Sequence, residues 1–269
     1  VALSPDPRPC VSPDRGESGF ERAHRFTKSV RHTDLARVLG AGRMDDGRPY
    51  GWTELVNGMS LSEEVRHRGA MPPADAVLIA MRVGTVVAAL HARHIIHRDL
   101  RPSRIMTRTG SDGRFHVKLL DLSLARLTHE ADDRAAGLDA TAFGDPRYQS
   151  PERLAGGGTS PADDVYALGA LLYLMLTGRP AVTPTGPGVD GVRGFYAEHG
   201  SAPARALPSS LPIPLVTTVQ RALEPDLAFR LPDAAAFTEA LAQVPPIPSD
   251  AEPARGGRLR RVLSGLLGR

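Results

Sequence analysis

The chain has a single cysteine, Cys10, in 269 residues. One thiol can neither close an internal disulfide nor supply a cysteine-only metal site, so the protein is expected to work in a reducing, cytoplasmic compartment. Long apolar runs are absent too. The longest, Ala76–Leu90 and Val165–Leu176, stop short of the ~20 residues that span a bilayer, and Arg82 interrupts the first. No export signal opens the sequence, because Val1-Ala2-Leu3 leads straight into Ser4-Pro5-Asp6-Pro7. Acid is missing from one end: from Pro253 onward there are five arginines and no Asp or Glu. The net charge of +3 therefore belongs to the tail, and a nucleic-acid partner is not expected. In residues 254–269, Arg258, Arg260 and Arg261 alternate with Leu259, Val262 and Leu263, a basic amphipathic stretch suited to peripheral contact with an anionic membrane surface.

At 41% hydrophobic and 23% charged, the chain can bury the core of one or two globular domains. Phe20–Val30 reads as a helix, and Leu35–Ala41 and Arg48–Glu54 as two strands joined by the turn Met44–Arg48. Ser60 or Ser62 caps a short polar helix running to His67. Behind Pro72-Pro73, the positions Val77, Met81, Gly84, Ala88 and His91 recur at helical spacing, which predicts a long helix over Ala74–Arg93. Ile105-Met106 and Phe115–Leu120 predict a hairpin, and Thr128–Thr141 a polar loop. Val165–Leu176 is apolar on every face, as a helix surrounded by protein must be, and Gly178 and Pro180 stop it. Residues 181–210, rich in Gly, Pro and Ser, read as an irregular surface connection. Leu215–Leu223 and Ala234–Ala242 are two further helices, and the chain is extended after Gln243.

Five motifs follow one another in order. His97-Arg98-Asp99-Leu100-Arg101-Pro102-Ser103-Arg104 resembles the catalytic loop H-R-D-L-K-P-x-N of the eukaryotic-type (Hanks-type) bacterial Ser/Thr protein kinases. Asp121-Leu122-Ser123, after the apolar Val117-Lys118-Leu119-Leu120, is similar to that family's D-F-G. Gly144–Glu152 resembles the G-T-P-x-Y-M-A-P-E end of the activation segment, and Asp164–Gly169 resembles D-V-Y-S-L-G. Arg221–Asp226 with Arg230 looks like the closing helix pair. The resemblance covers about residues 20–243 and implies an α+β, protein-kinase-like fold with a truncated, β-rich small lobe and a mainly helical large lobe. Residues 1–56 would form a partial small lobe (strand 3, helix C, strands 4–5 and hinge), 57–243 the large lobe, and 244–269 a Pro-rich linker and basic tail.

The resemblance also assigns roles. Asp99 would be the base for a substrate hydroxyl, Arg101 would stand in the place of the catalytic Lys, and Asp121 would be the metal ligand. Thr53, Glu54 and Val56 would line the hinge that receives adenine, with Met106 covering the ring. Arg98, Glu152, Asp164 and Arg230 would be structural: Glu152 meeting Arg230, Asp164 accepting backbone N–H groups from the catalytic loop, and Arg98 facing a phosphate on Thr128 or Thr141. His97 reads as a packed core histidine.

Several parts depart from the pattern. No G-x-G-x-x-G occurs. If Val1–Ser4 matches the family's V-A-I-K strand, Ser4 replaces the phosphate-binding Lys, and Ala23 stands where the helix Glu belongs, with Glu21 about 200° around the helix. Arg104 replaces the metal-binding Asn, and a guanidinium has no lone pair for magnesium. ATP binding is therefore expected to be weak and magnesium binding disfavoured. Two ion pairs, Arg101–Asp145 and Arg104–Asp121, are expected to fill the cleft. These changes favour a pseudokinase that binds or regulates a protein partner. The alternative is an active Ser/Thr kinase acting on a protein substrate, with the glycine-rich strands lying upstream of the sequence in hand.

Overall fold

In the computed structural model, residues 18–110, 115–128, 144–200 and 207–247 are described. Val1–Ser4, Thr141 and the tail 254–269 lie outside them.

Ser18 starts the first helix, α1 (Gly19–Ser29), through a capping box: its Oγ accepts from Glu21 N–H at 3.3 Å, and its own N–H donates to Glu21 Oε2 at 2.6 Å. Glu21 is thereby committed to the helix end, 3.7 Å from Arg43, while Ala23 and Phe26 are buried. Strands β1 (Val38–Arg43) and β2 (Pro49–Thr53) form an antiparallel pair that packs on α1. Strand β3 (Met59–Ser60) leads into α2 (Leu61–Arg68). Ser60 is its cap, accepting from Glu63 N–H at 3.3 Å, with Ser62 Oγ 2.8 Å away.

Helix α3 (Pro73–His91) starts on a proline whose missing N–H costs nothing in the first turn. The predicted stripe marks only the edge of its buried arc: Gly84 is buried, but Val77, Met81, Ala88 and His91 are half-buried. The deepest positions are Ala76, Ile79, Val86, Val87 and Leu90. The arc is wide because α3 packs against several elements, among them the strand β6 (Phe115–Leu119) and the helices α5 (Pro161–Thr177) and α8 (Ala234–Ala242). Among the described residues, α3 alone is long and apolar enough to cross a membrane.

After the buried β4 (Ile95–Ile96) comes β5 (Ile105–Thr109), which pairs antiparallel with β6 and with β3 in the order β3-β5-β6. Strand β7 (Arg126–Leu127) pairs with β4, and a short α4 (Pro151–Leu154) precedes α5. Every residue of α5 from Ala162 to Leu176 is buried, as its all-round apolarity required. It ends at Gly178, which takes a left-handed φ of 69°.

The region expected to be irregular contains a helix, α6 (Gly188–His199). Its apolar positions Val192 and Phe195 are three apart and buried, but Gly188, Gly191 and Gly194 dilute the helical signal. Close packing explains one of them: a Cβ on Gly191 would lie 1.8 Å from Gly186 O. Helices α7 (Ile213–Ala222) and α8 complete the helical layer around α5.

Candidate functional site

The centre of the site is held from below by Asp164, at the N-terminal end of α5. Its carboxylate is 1% exposed and accepts the backbone N–H of His97 at 2.8 Å and of Arg98 at 2.9 Å. His91, at the end of α3, accepts Ala234 N–H on Nδ1 at 3.2 Å, which puts its proton on Nε2 for donation to Asp164 at 3.0 Å. Burial opposes the charge on Asp164, but the hydrogen bond from His91, with the backbone donors, outweighs it and holds its pKa below the ordinary carboxylate range. This clamp fixes the turn in which Arg98 takes a φ of 70°, a conformation disfavoured for a residue with a Cβ. His97 is fully buried and burial lowers its pKa; its Nδ1 accepts Asp99 N–H at 3.3 Å.

Asp99 sits on that turn with a side chain 3% exposed, and two guanidiniums converge on it. Arg101 Nε lies 3.1 Å from Oδ1 and 3.2 Å from Oδ2, and Arg104 Nε donates to Oδ2 at 3.1 Å. The 3-10 turn Pro102–Arg104 brings Arg104 back over Asp99, while Arg101 reaches it from the extended residue just before the turn. Arg104 then reaches on, its Nη2 lying 2.8 Å from Asp121 Oδ2. Asp121 has a φ of 67° and accepts Ser123 N–H on Oδ1 at 2.9 Å. One guanidinium thus bridges the two acids.

Gly144 closes the remaining side. Its φ is 86°, and a Cβ there would come within 2.7 Å of Asp99 Oδ1. Gly144→Ala is expected to cost about 2 kcal/mol, from left-handed strain and the clash together. Chemical denaturation measures this; an unchanged midpoint would show that Asp99 is not tightly enclosed.

The expected Arg101–Asp145 pair is not formed. Asp145 is taken by Arg147, two residues on, through Nη2–Oδ2 at 2.6 Å, Nε–Oδ1 at 3.0 Å and a backbone N–H at 3.1 Å. A partner within the same short turn costs less ordering entropy than one across the cleft, and Arg101 is nearer its own neighbour Asp99. Glu152 and Arg230 do pair, in two parallel bonds of 2.5 and 3.0 Å. The rest of the Arg230 fork is filled by Glu224 O at 2.6 Å, Pro225 O at 3.2 Å and Ala162 O at 3.3 Å.

Arg98 is buried near Arg22, Arg126 and Arg153, and its pKa falls to about 9 through burial first and this cationic company second. Thr128 is exposed, its N–H donating to His94 O at 2.8 Å. Glu54, Val56 and Met106 share the lining of a cleft of about 450 Å³; Thr53, at the exposed end of β2, is not part of it. The Glu54 carboxylate is turned onto Lys118 Nζ at 2.6 Å and Arg37 N–H at 3.2 Å. Sequence reasoning missed the Arg101 and Arg104 bonds to Asp99. Their signal was present: two arginines two and five residues after an acid, around a proline turn.

A family model described as "Protein kinase domain" matches residues 16–190, more than half the chain. The chain belongs to the protein kinase family. It is 31% identical over 228 residues to the serine/threonine-protein kinase pkn2 of Myxococcus xanthus, covering 83% of this chain and 26% of that protein. To PkaA of Streptomyces coelicolor it is 36% identical over 171 residues (63% and 30%), and to pkn3 of M. xanthus 29% over 241 residues (87% and 43%). The chain thus spans less than half the length of these relatives.

In this protein kinase domain the α+β scaffold surrounds a site whose residues do not fit a divalent ion. Kinases generally use ATP with magnesium, which requires oxygen ligands at close range. Here the position between Asp99 and Asp121 is filled by a cation that donates hydrogen bonds to both.

Proposed function

We propose that this kinase domain is a pseudokinase, a regulatory module that acts by binding a protein partner and makes weak or no use of ATP and magnesium. The observation that carries this reading is the bridge Asp99–Arg104–Asp121, with Arg101 as a second cation on Asp99. A general base needs a free lone pair aimed at the hydroxyl it deprotonates, and Asp99 spends its oxygens on guanidinium donors. A metal ligand needs its charge directed at the metal, and Asp121 directs one oxygen at Arg104 and the other at Ser123 N–H.

A second reading, an active Ser/Thr kinase, draws support from the frame around the same residues. Asp121 and Arg98 keep costly left-handed conformations, and the Asp164 clamp and the Glu152–Arg230 pair are complete. Incubation with labelled ATP and Mg²⁺ or Mn²⁺ separates the two. Wild type is expected to incorporate no more phosphate than Asp99→Asn, and incorporation that this change abolishes would establish the active reading instead. In thermal unfolding, ATP is expected to raise the midpoint slightly and equally with Mg²⁺ or with EDTA. A shift that appears only with metal would contradict the proposal.

A further inference from the structure

Helix α6, unforeseen in the sequence, builds one wall of a cavity of about 780 Å³ at the far end of α5 from Asp164. Tyr173 and Leu176 of α5, Ala181 of the following loop and Phe195 of α6 line it, and all four are buried core residues. His199 stacks on Phe195 with ring centres 4.6 Å apart and planes at 16°, its Nδ1–H donating to Phe195 O at 3.0 Å, so the aromatic wall is fixed in place.

The polar groups of the cavity are unevenly signed. Among the described residues no carboxylate lines it, whereas Arg179 does. Arg179 is exposed and forms no ion pair among the described residues. The hydroxyls of Thr177 and Thr185 are used on backbone carbonyls, Thr177 on Tyr173 O at 2.8 Å and Thr185 on Gly191 O at 3.2 Å. Thr183, exposed on the same lining, has no such bond. A half-open pocket of this size, with apolar walls and a guanidinium and a hydroxyl at its rim, has the make-up of a small-molecule site, and a guanidinium binds a carboxylate through two parallel bonds.

We propose that this cavity binds a small amphipathic carboxylate, with its apolar body against Leu176, Ala181 and Phe195 and its headgroup on Arg179 and Thr183. The site is separate from the cleft around Asp99, and the proposal stands or falls independently of whether the domain transfers phosphate. Because both Arg179 and Thr183 are exposed, changing them leaves the core intact, which unchanged thermal unfolding of each variant verifies.

Calorimetric titration with octanoate and with octanol tests it on the wild-type chain, Arg179→Gln and Thr183→Trp. Octanoate is expected to saturate one site on the wild type and to bind at least ten-fold more weakly to Arg179→Gln. Octanol, with the same body and no charge, is expected to bind those two proteins alike, and Thr183→Trp, whose indole takes up part of the pocket at its rim, is expected to weaken both ligands. No saturable octanoate binding, equal octanoate affinity for wild type and Arg179→Gln, or full binding to Thr183→Trp would each overturn the assignment.

Discussion

Arg104→Asn is expected to tighten Mn²⁺ binding at this domain by roughly 30-fold. The guanidinium stands 2.8 Å from Asp121 and 3.1 Å from Asp99, with a side chain only 17% exposed. A unit charge and a dication ~4 Å apart repel by roughly 8 kcal/mol at an effective dielectric of ~20. Solvent and side-chain movement reduce this, and if about a quarter survives, the remaining ~2 kcal/mol corresponds to the stated factor. Asparagine also adds a carbonyl oxygen and releases Asp121 Oδ2, both of which suit a hard cation. Titration followed by Mn²⁺ electron paramagnetic resonance measures the change, with Arg104→Asn combined with Asp121→Asn as the control that loses it. Equal Mn²⁺ affinity in wild type and Arg104→Asn would mean that Arg104 is not what keeps metal out. Phosphate transfer is not expected to accompany the gain, since Arg101 still lies against both oxygens of Asp99.

Most of the frame was legible because it is written in local or strongly typed signals. Ser60 and Ser62 announce a helix start, which Ser60 supplies through a capping box with Glu63, and an all-apolar run such as Val165–Leu176 has no stable home except the core. The pairing of Arg104 with Asp121 was legible for a different reason, since a cation in a metal's place has an anion for a neighbour. What stayed hidden depended on choices among competing partners. Arg101 had Asp99 and Asp145 to choose from, and the outcome turned on Arg147, two residues from Asp145, occupying that carboxylate. Glu54 and Lys118 are 64 residues apart, and nothing in either stretch announces their 2.6 Å contact. Helix α6 was concealed because three glycines, of which Gly191 is needed for close approach to the preceding loop, lower the helical propensity of the segment they belong to.

Glu152→Ala is expected to destabilise the domain by about 3–5 kcal/mol, the cost of leaving a buried charge without its partner. The Arg230 side chain is wholly buried, and that of Glu152 is 23% exposed, so solvent cannot replace what is lost. Three backbone carbonyls would still hold the guanidinium, which makes escape to water harder and keeps the penalty inside the protein. Replacing both residues by methionine removes the stranded charge but orphans those carbonyls. The double variant is therefore expected to recover only part of the loss, by about 1–3 kcal/mol less than full recovery. Acid separates the pair from its neighbours. Burial opposes the charge on Glu152, but the Arg230 bonds outweigh it and hold its pKa below the ordinary value, so its contribution is complete above pH ~4.3 and is lost as the pH falls through the lowered value. Asp163, bonded to Ser150, has the opposite sign: burial pushes its pKa up to about 6, so stability rises as the pH drops from about 6 toward ~4. Denaturant unfolding across pH 3 to 8 should show Glu152→Gln removing the acid-side fall and Asp163→Asn removing the rise above it. Identical pH profiles for wild type and Glu152→Gln would show that the Arg230 pair carries no net charge stabilisation, leaving packing and the carbonyl bonds to hold α5 in place.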